Sequence, residues 1–280
     1  MLATEIKKFL NEYDIRPNKL LGQHFLVDQN ILRKIIKAAA IKNTDTVLEI
    51  GPGTGTLTFE LAEHAGKVVA IEKDQALAEI LKKEIEKRGI TNIELILGDI
   101  LKIPLGIFAR ICLYRVVANI PYYLTARLIR KLLGEVPQPN DILFTMQKEV
   151  AERIVSKPPR MNLLALAVQI YGTPKILFKI PRNAFWPAPE VDGALIAIND
   201  ISKKNFLDGG VLESDFFKIV RTAFQTKRKI LLNSLARQTS INKPSLEIIL
   251  ASLGIAPLAR PEELSVRQWI SLVARLGKNS

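Results

Sequence analysis

Residues 46–57 read Thr46-Val47-Leu48-Glu49-Ile50-Gly51-Pro52-Gly53-Thr54-Gly55-Thr56-Leu57, an apolar run ending on an acid, then three alternate glycines that lead straight into a helical pattern. Outward from that turn the alternation continues as LTFELAEHA at 57–65, KVVAIEKD at 67–74, ALAEILKKEIEKRG at 76–89 and IELILGDI at 93–100. Near-continuous apolar strands separated by amphipathic helices predict a βαβαβ unit, because strands covered on both faces belong to a parallel sheet. Further strands are predicted over 115–118, 141–147, 168–178 and 193–199, with helices over 126–133 and 148–155. A helical pattern at 29–40 follows a loop at 20–28. After 199 the pattern changes. A polar linker, ISKKNFLDGG, precedes helical stretches at 214–223, 228–237, 245–253 and 265–276, so a domain boundary is expected near residue 203.

Composition narrows the partners. A formal charge of +12 favours a polyanion. Residues 201–280 hold 13 Lys and Arg against 6 Asp and Glu, while residues 1–200 hold 27 against 22, so positive charge is densest in the helical part. No stretch approaches the roughly 18 apolar residues of a membrane helix. The start, MLATEIKKFLNEYDIRP, shows no signal-peptide core, so a cytoplasmic protein without a membrane partner is expected. The single Cys112 excludes an internal disulfide and a cysteine-built metal site, and no metal is expected.

Glycines after a first strand permit positive φ and bring a ligand against bare backbone beside helix amides, which suits a nucleotide-like cofactor. The dinucleotide fingerprint needs glycine where Thr56 stands, so an NAD site fails. Gly51-x-Gly53-x-Gly55 after Glu49 is instead similar to motif I of class I S-adenosylmethionine-dependent methyltransferases. Glu72 ends the second strand, where a carboxylate can accept both ribose hydroxyls. Asp99, followed by Ile100, ends the third and is placed to accept from an adenine amino group. Either acid alone could be a turn cap. With the glycine turn they occupy the carboxyl ends of successive parallel strands, where open α/β sheets bind ligands.

After the fourth strand stands Asn119-Ile120-Pro121-Tyr122, similar to the (Asp/Asn)-Pro-Pro-(Tyr/Phe) string of amino-methylating enzymes. An adenine N6 lone pair is delocalised into the ring and attacks poorly until the nitrogen pyramidalises. Acceptors at the Asn119 side-chain oxygen and the Ile120 carbonyl would hold the amino hydrogens and favour the developing charge. Pro121 fixes the turn. Tyr122 can stack on the target base, an effect of about 1–3 kcal/mol. In the stiff loop 183–192, Phe185 could sandwich a splayed base with Tyr122, whereas Trp186 reads as a core anchor. Upstream, Leu21-Gly22-Gln23-His24-Phe25-Leu26 could fold over the cofactor, with His24 making contact rather than carrying a proton. His64 reads as a residue of a helix C-terminal turn.

In order and spacing these segments resemble the ribosomal RNA adenine dimethylase family, in its small-subunit branch. The match takes in LGQHFL at 21–26, the glycine turn with Glu72, Gly98-Asp99, the 119–122 string and Phe185-x-Pro187-x-Pro189-x-Val191-Asp192. It extends through Phe217-Lys218-Ile219-Val220-Arg221-x-x-Phe224, Lys227-Arg228-Lys229, Asn233-x-Leu235 and Arg260-Pro261-Glu262-Glu263-Leu264-Ser265. The resemblance implies a Rossmann-like α/β methyltransferase domain over 1–202, with a mostly parallel seven-stranded sheet, and a smaller all-helical RNA-binding domain over 203–280. It implies transfer of two methyls to each of two adjacent adenines in a hairpin loop near the 3′ end of 16S ribosomal RNA, within a 30S particle, by a monomer.

The candidate cofactor set is Gln23, His24, Leu26, Gly51, Gly53, Gly55, Glu72, Asp99, Ile100 and Asn119. The candidate catalytic set is Asn119, Ile120, Pro121, Tyr122 and Phe185. Arg221, Lys227, Arg228, Lys229 and Arg237 are candidate phosphate contacts, a solvated helix face being the alternative. The chain departs from the family at His24, usually Asn, at Gly193, usually Ser, and at 157–162, where many members carry Tyr-Gly. Two other readings are an erythromycin-resistance-type 23S rRNA methylase and a non-catalytic RNA-binding or transcription factor. The C-terminal strings weigh against the first and the intact site residues against the second.

Overall fold

In the computed structural model, which describes residues 3–18, 22–108, 114–121, 124–225, 230–237, 239 and 241–277, the 46–57 stretch folds as a strand, a left-handed glycine turn and a helix. In chain order the elements are α1 (Ala3–Glu12), β1 (Phe25–Leu26), α2 (Gln29–Ala39), β2 (Thr46–Ile50), α3 (Thr56–His64), β3 (Lys67–Glu72) and α4 (Gln75–Lys87). There follow β4 (Ile93–Leu97), β5 (Tyr114–Asn119), α5 (Thr125–Gly134), β6 (Ile142–Gln147), α6 (Lys148–Ile154) and α7 (Leu163–Gln169). Next come β7 (Thr173–Ile180), β8 (Phe185–Trp186) and β9 (Gly193–Asn199). Five helices complete the chain: α8 (Lys204–Gly209), α9 (Glu213–Gln225), α10 (Leu231–Ala236), α11 (Lys243–Ser252) and α12 (Val266–Gly277).

The main sheet runs β4-β3-β2-β5-β6-β9-β7, parallel from β4 to β6, with β9 antiparallel to both β6 and β7. Strand order reverses between β2 and β5, which opens a crevice at the carboxyl ends of the parallel strands. Register is fixed from below. At the amino ends of β2, β5 and β6, Arg115 bridges Asp141 at 2.9 Å and Asp45 at 3.2 Å. Above it, Val47, Leu48, Val116, Val117 and Ile142 are at most 1% exposed, each such side chain contributing about 1.5–3 kcal/mol on burial. Helix α2 adds a stripe of Ile31, Leu32, Ile35, Ile36 and Ala39. Asp28 caps its start by accepting from the Asn30 and Ile31 amides.

Contacts divide the chain into two compact units, residues 1–151 with 173–201, and 152–172 with 202–280. One crossing of this division, between 201 and 202, lies beside the expected boundary near 203, and the division groups 152–172 with the C-terminal helices. The Met161 amide donates to the Glu262 carbonyl and the Tyr171 hydroxyl to Glu213, within that unit. The strand expected over 168–178 is also divided. Residues 163–169 form α7, capped by Asn162, and the strand begins at Thr173. A seven-residue apolar run is the length at which a buried strand and a short helix read alike. The linker ISKKNFLDGG contains α8, whose Phe206 is buried, and α1 was not anticipated at all. No helix among the described residues is long and apolar enough to cross a membrane.

Candidate active site

The carboxyl ends of β2 to β5 open on one cavity. Gly51 and Gly53 line it with φ of 68° and 58°. A β-carbon on Gly53 would come within 3.0 Å of the Phe25 ring, so the wall there is bare backbone by necessity. Gly55, also in the expected cofactor set, stands between Thr54 and Thr56, which line the cavity, and is not itself part of that lining. At φ 79° it faces inward, and a β-carbon would stand 2.7 Å from both Phe59 and Leu81, so its role is to let α3 pack.

Three carboxyls surround this turn. Glu72, 6% exposed, accepts the Gly53 amide at 3.0 Å and the Lys73 and Asp74 amides at 2.8 Å each. Burial pushes its pKa upward against those amides. A carboxylate offers about four acceptor positions, so three are committed and one remains, fewer than the expected grip on two ribose hydroxyls needs. Burial also opposes ionisation of Asp99, but the Leu101 amide and the Lys73 ammonium 3.1 Å away outweigh it and hold the pKa below the usual range. Glu49, the acid next to last in β2, is 1% exposed, and its Oε2 has no hydrogen-bond partner among the described residues. Burial pushes its pKa to about 8, with Thr58 opposing and Glu72 adding to the rise, so this acid is largely neutral at pH 7.

Across the cavity, the Asn119 amide nitrogen donates to the His24 carbonyl at 3.0 Å, and its oxygen accepts from the Thr145 hydroxyl. The His24 Nδ1 lies 2.6 Å from the Pro187 carbonyl, which can only accept, so that nitrogen carries the hydrogen. Gln23 donates to Asp74 at 2.9 Å. Strand β1 pairs with β8, Leu26 opposite Phe185 and Phe25 opposite Trp186. The 22–26 segment is thus stitched to both the β3 and the β5 sides, and Gln23, His24 and Leu26 all line the cavity.

Ile100, Ile120 and Pro121 also line it. Tyr122 lies outside the described residues. Phe185 corrects an expectation: it reaches the cavity but is 4% exposed and packed with Leu26, Ile180 and Leu195, a wall rather than a free stacking face. Trp186 packs against Ile6, Leu10 and Phe25, as an anchor would. In the helical unit, Arg221 is exposed, its guanidinium 5.7 Å from the Phe217 ring, and Arg237 is exposed beyond α10. Lys227, Arg228 and Lys229 lie outside the described residues. Sequence reasoning missed Lys73, Arg127 and Thr145. The signal for Thr145 was present, a hydroxyl within ILFTM; Arg127, which lines the cavity from α5, had none.

This strand order, with its crevice of glycine turn, strand-end acids and Asn-Ile-Pro string, defines a class I methyltransferase. A family model for ribosomal RNA adenine dimethylase matches residues 15–278, and the chain belongs to that family of S-adenosylmethionine-dependent enzymes. It is similar to ribosomal RNA small subunit methyltransferase A of Dehalococcoides mccartyi strain CBDB1, 42% identical over 99% of this chain and 94% of that protein. The Clostridium botulinum strain Loch Maree protein of that name is 40% identical, over 94% and 95% respectively. Among solved structures, a dimethyladenosine transferase from Plasmodium falciparum superposes with a TM-score of 0.76 at 28% identity, over 91% of this chain and 98% of that one. The 23S rRNA methyltransferase ErmE gives 0.70 at 25% identity, over 90% and 99%.

Proposed function

We propose that this protein transfers methyl groups from S-adenosylmethionine to N6 of two adjacent adenines, two methyls to each, in a hairpin loop near the 3′ end of 16S ribosomal RNA within a 30S particle. The observation that carries the reading is that Asn119 on β5 and the glycine turn after β2 face one crevice, in a chain 42% identical over 99% of its length to a small-subunit methyltransferase. It acts as a cytoplasmic monomer without a metal.

The residues present fit the cofactor, since Gly51 and Gly53 offer bare backbone and Glu72 and Asp99 offer acceptors. When bound, S-adenosylmethionine supplies an electrophilic methyl on a sulfonium whose leaving group is a neutral thioether. Glu72 holds a ribose hydroxyl through its remaining acceptor position, and Asp99 accepts from the adenine amino group beside Ile100. On the target side, Asn119 Oδ1 accepts an N6 hydrogen, with the Ile120 carbonyl and Tyr122 completing the grip. Fixing the amino group in line and favouring its developing positive charge are the contributions of these neutral acceptors. Arg221, Arg237 and the 227–229 string contact phosphates, a salt-dependent interaction.

A second reading, methylation of 23S RNA, draws on the ErmE likeness. The two separate in one experiment, in which under-methylated 30S particles and naked 23S RNA are incubated with enzyme and mapped by mass. Dimethyladenosine at adjacent 16S positions is expected; label confined to 23S overturns the proposal.

A further inference from the structure

We propose that Thr145 is a positioning residue for methyl transfer, holding the Asn119 amide in the one orientation that presents an acceptor to the target amino group. This rests on the catalytic reading of Asn119 given above.

A side-chain amide has nearly isosteric ends, and its neighbours decide which faces where. The His24 carbonyl accepts only, so the Asn119 NH2 must face it. That turns Oδ1 toward β6, where Thr145 stands opposite Asn119 in the parallel register and donates its hydroxyl. Thr145 is 2% exposed, amid Ile142, Leu143, Phe144 and Met146. A hydroxyl buried in such a strand costs free energy unless bonded, and β-branching restricts its χ1. The arrangement enforces itself. A flipped Asn119 would set carbonyl against carbonyl at His24 and forfeit that bond. An amide oxygen has two lone pairs. Thr145 takes one and leaves the second for an N6 hydrogen. Since His24 is in turn tied to the Pro187 carbonyl, the amide is braced from β6 and from the 183–192 loop together.

The test uses the full chain and under-methylated 30S particles. Thr145→Val replaces the hydroxyl with a methyl of the same shape, Thr145→Ala removes it, and Thr145→Ser keeps it. Val and Ala are expected to lower kcat by about 10-fold or more, with the calorimetric Kd for S-adenosylmethionine within about twofold of the parent, while Ser stays within about threefold in kcat. In an Asn119→Ala background, Thr145→Val is expected to add nothing. A Val variant with parental kcat, an equal fall for Val and Ser, a loss traced to cofactor affinity, or losses that multiply in the double variant would each overturn the proposal. A near-normal Asn119→Ala enzyme would instead mark failure of the underlying reading, and a slow Asn119→Ala enzyme beside a normal Thr145→Val one marks failure of Thr145 alone.

Discussion

On one side of the crevice the ends of β2, β3 and β4 bring up carboxyls, Glu49, Glu72 and Asp99; on the other, β5 brings up the amide of Asn119, with the buried Thr145 hydroxyl of β6 bonded behind it. The carboxyl side is graded by environment. Glu49 and Glu72 are driven upward in pKa by burial, and Asp99 is held down by the Leu101 amide and Lys73. The Asn119 amide and the Thr145 hydroxyl themselves carry no charge to titrate. On the proposed function the contrast would fit two tasks: acids to grip hydroxyl and amino groups that stay put, and a neutral acceptor to orient a reacting amino group without competing for its proton.

The sharpest way to break the comparison is at Asn119. Its replacement by Ala should lower kcat on the order of 100-fold or more, since preorganised acceptors act mainly in the transition state, while the cofactor Kd moves far less. Equal losses in both would mean the two sides do not divide the work. Next in size is Glu72→Ala, which removes an acceptor and also releases the Gly53 amide. Calorimetry should show cofactor affinity weakened by about 10–100-fold, in line with the loss of a hydrogen bond to a charged group, and kcat at saturation changed little. A fall in kcat at unchanged Kd would reverse the assignment.

The smallest effect concerns Glu49 and pH. Its carboxyl keeps a proton up to about pH 8 when folded but ionises near 4.5 otherwise. Folding therefore binds a proton across that window, and stability falls as pH rises through it. Glu49→Gln removes that loss. Thermal melts of variant and parent should coincide near pH 4.5 and diverge to on the order of 5 °C in favour of the variant by pH 8.5. Parallel curves would show that the carboxyl titrates normally.

Legibility differed between the two units. In the first, 46–57 announced itself because a strand-to-helix turn at positive φ demands glycine whatever surrounds it, and Glu72, Asp99 and Asn119 follow at strand ends that periodicity locates. In the second, helical periodicity at 214–223 and 265–276 anticipated α9 and α12, yet no local pattern ties the segment 152–172 to that unit. Its partners, Glu262 for Met161 and Glu213 for Tyr171, lie far along the chain.

By itself the sequence determined the βαβαβ order, the glycine turn and the strings that carry the resemblance, because these obey local rules of periodicity, left-handed backbone and proline stiffness. Only the tertiary structure decided that Gly55 packs a helix, that Phe185 is a wall and that Thr145, 26 residues from Asn119, meets its amide. Those outcomes depend on the register between strands and the space left by neighbours, which no local pattern encodes.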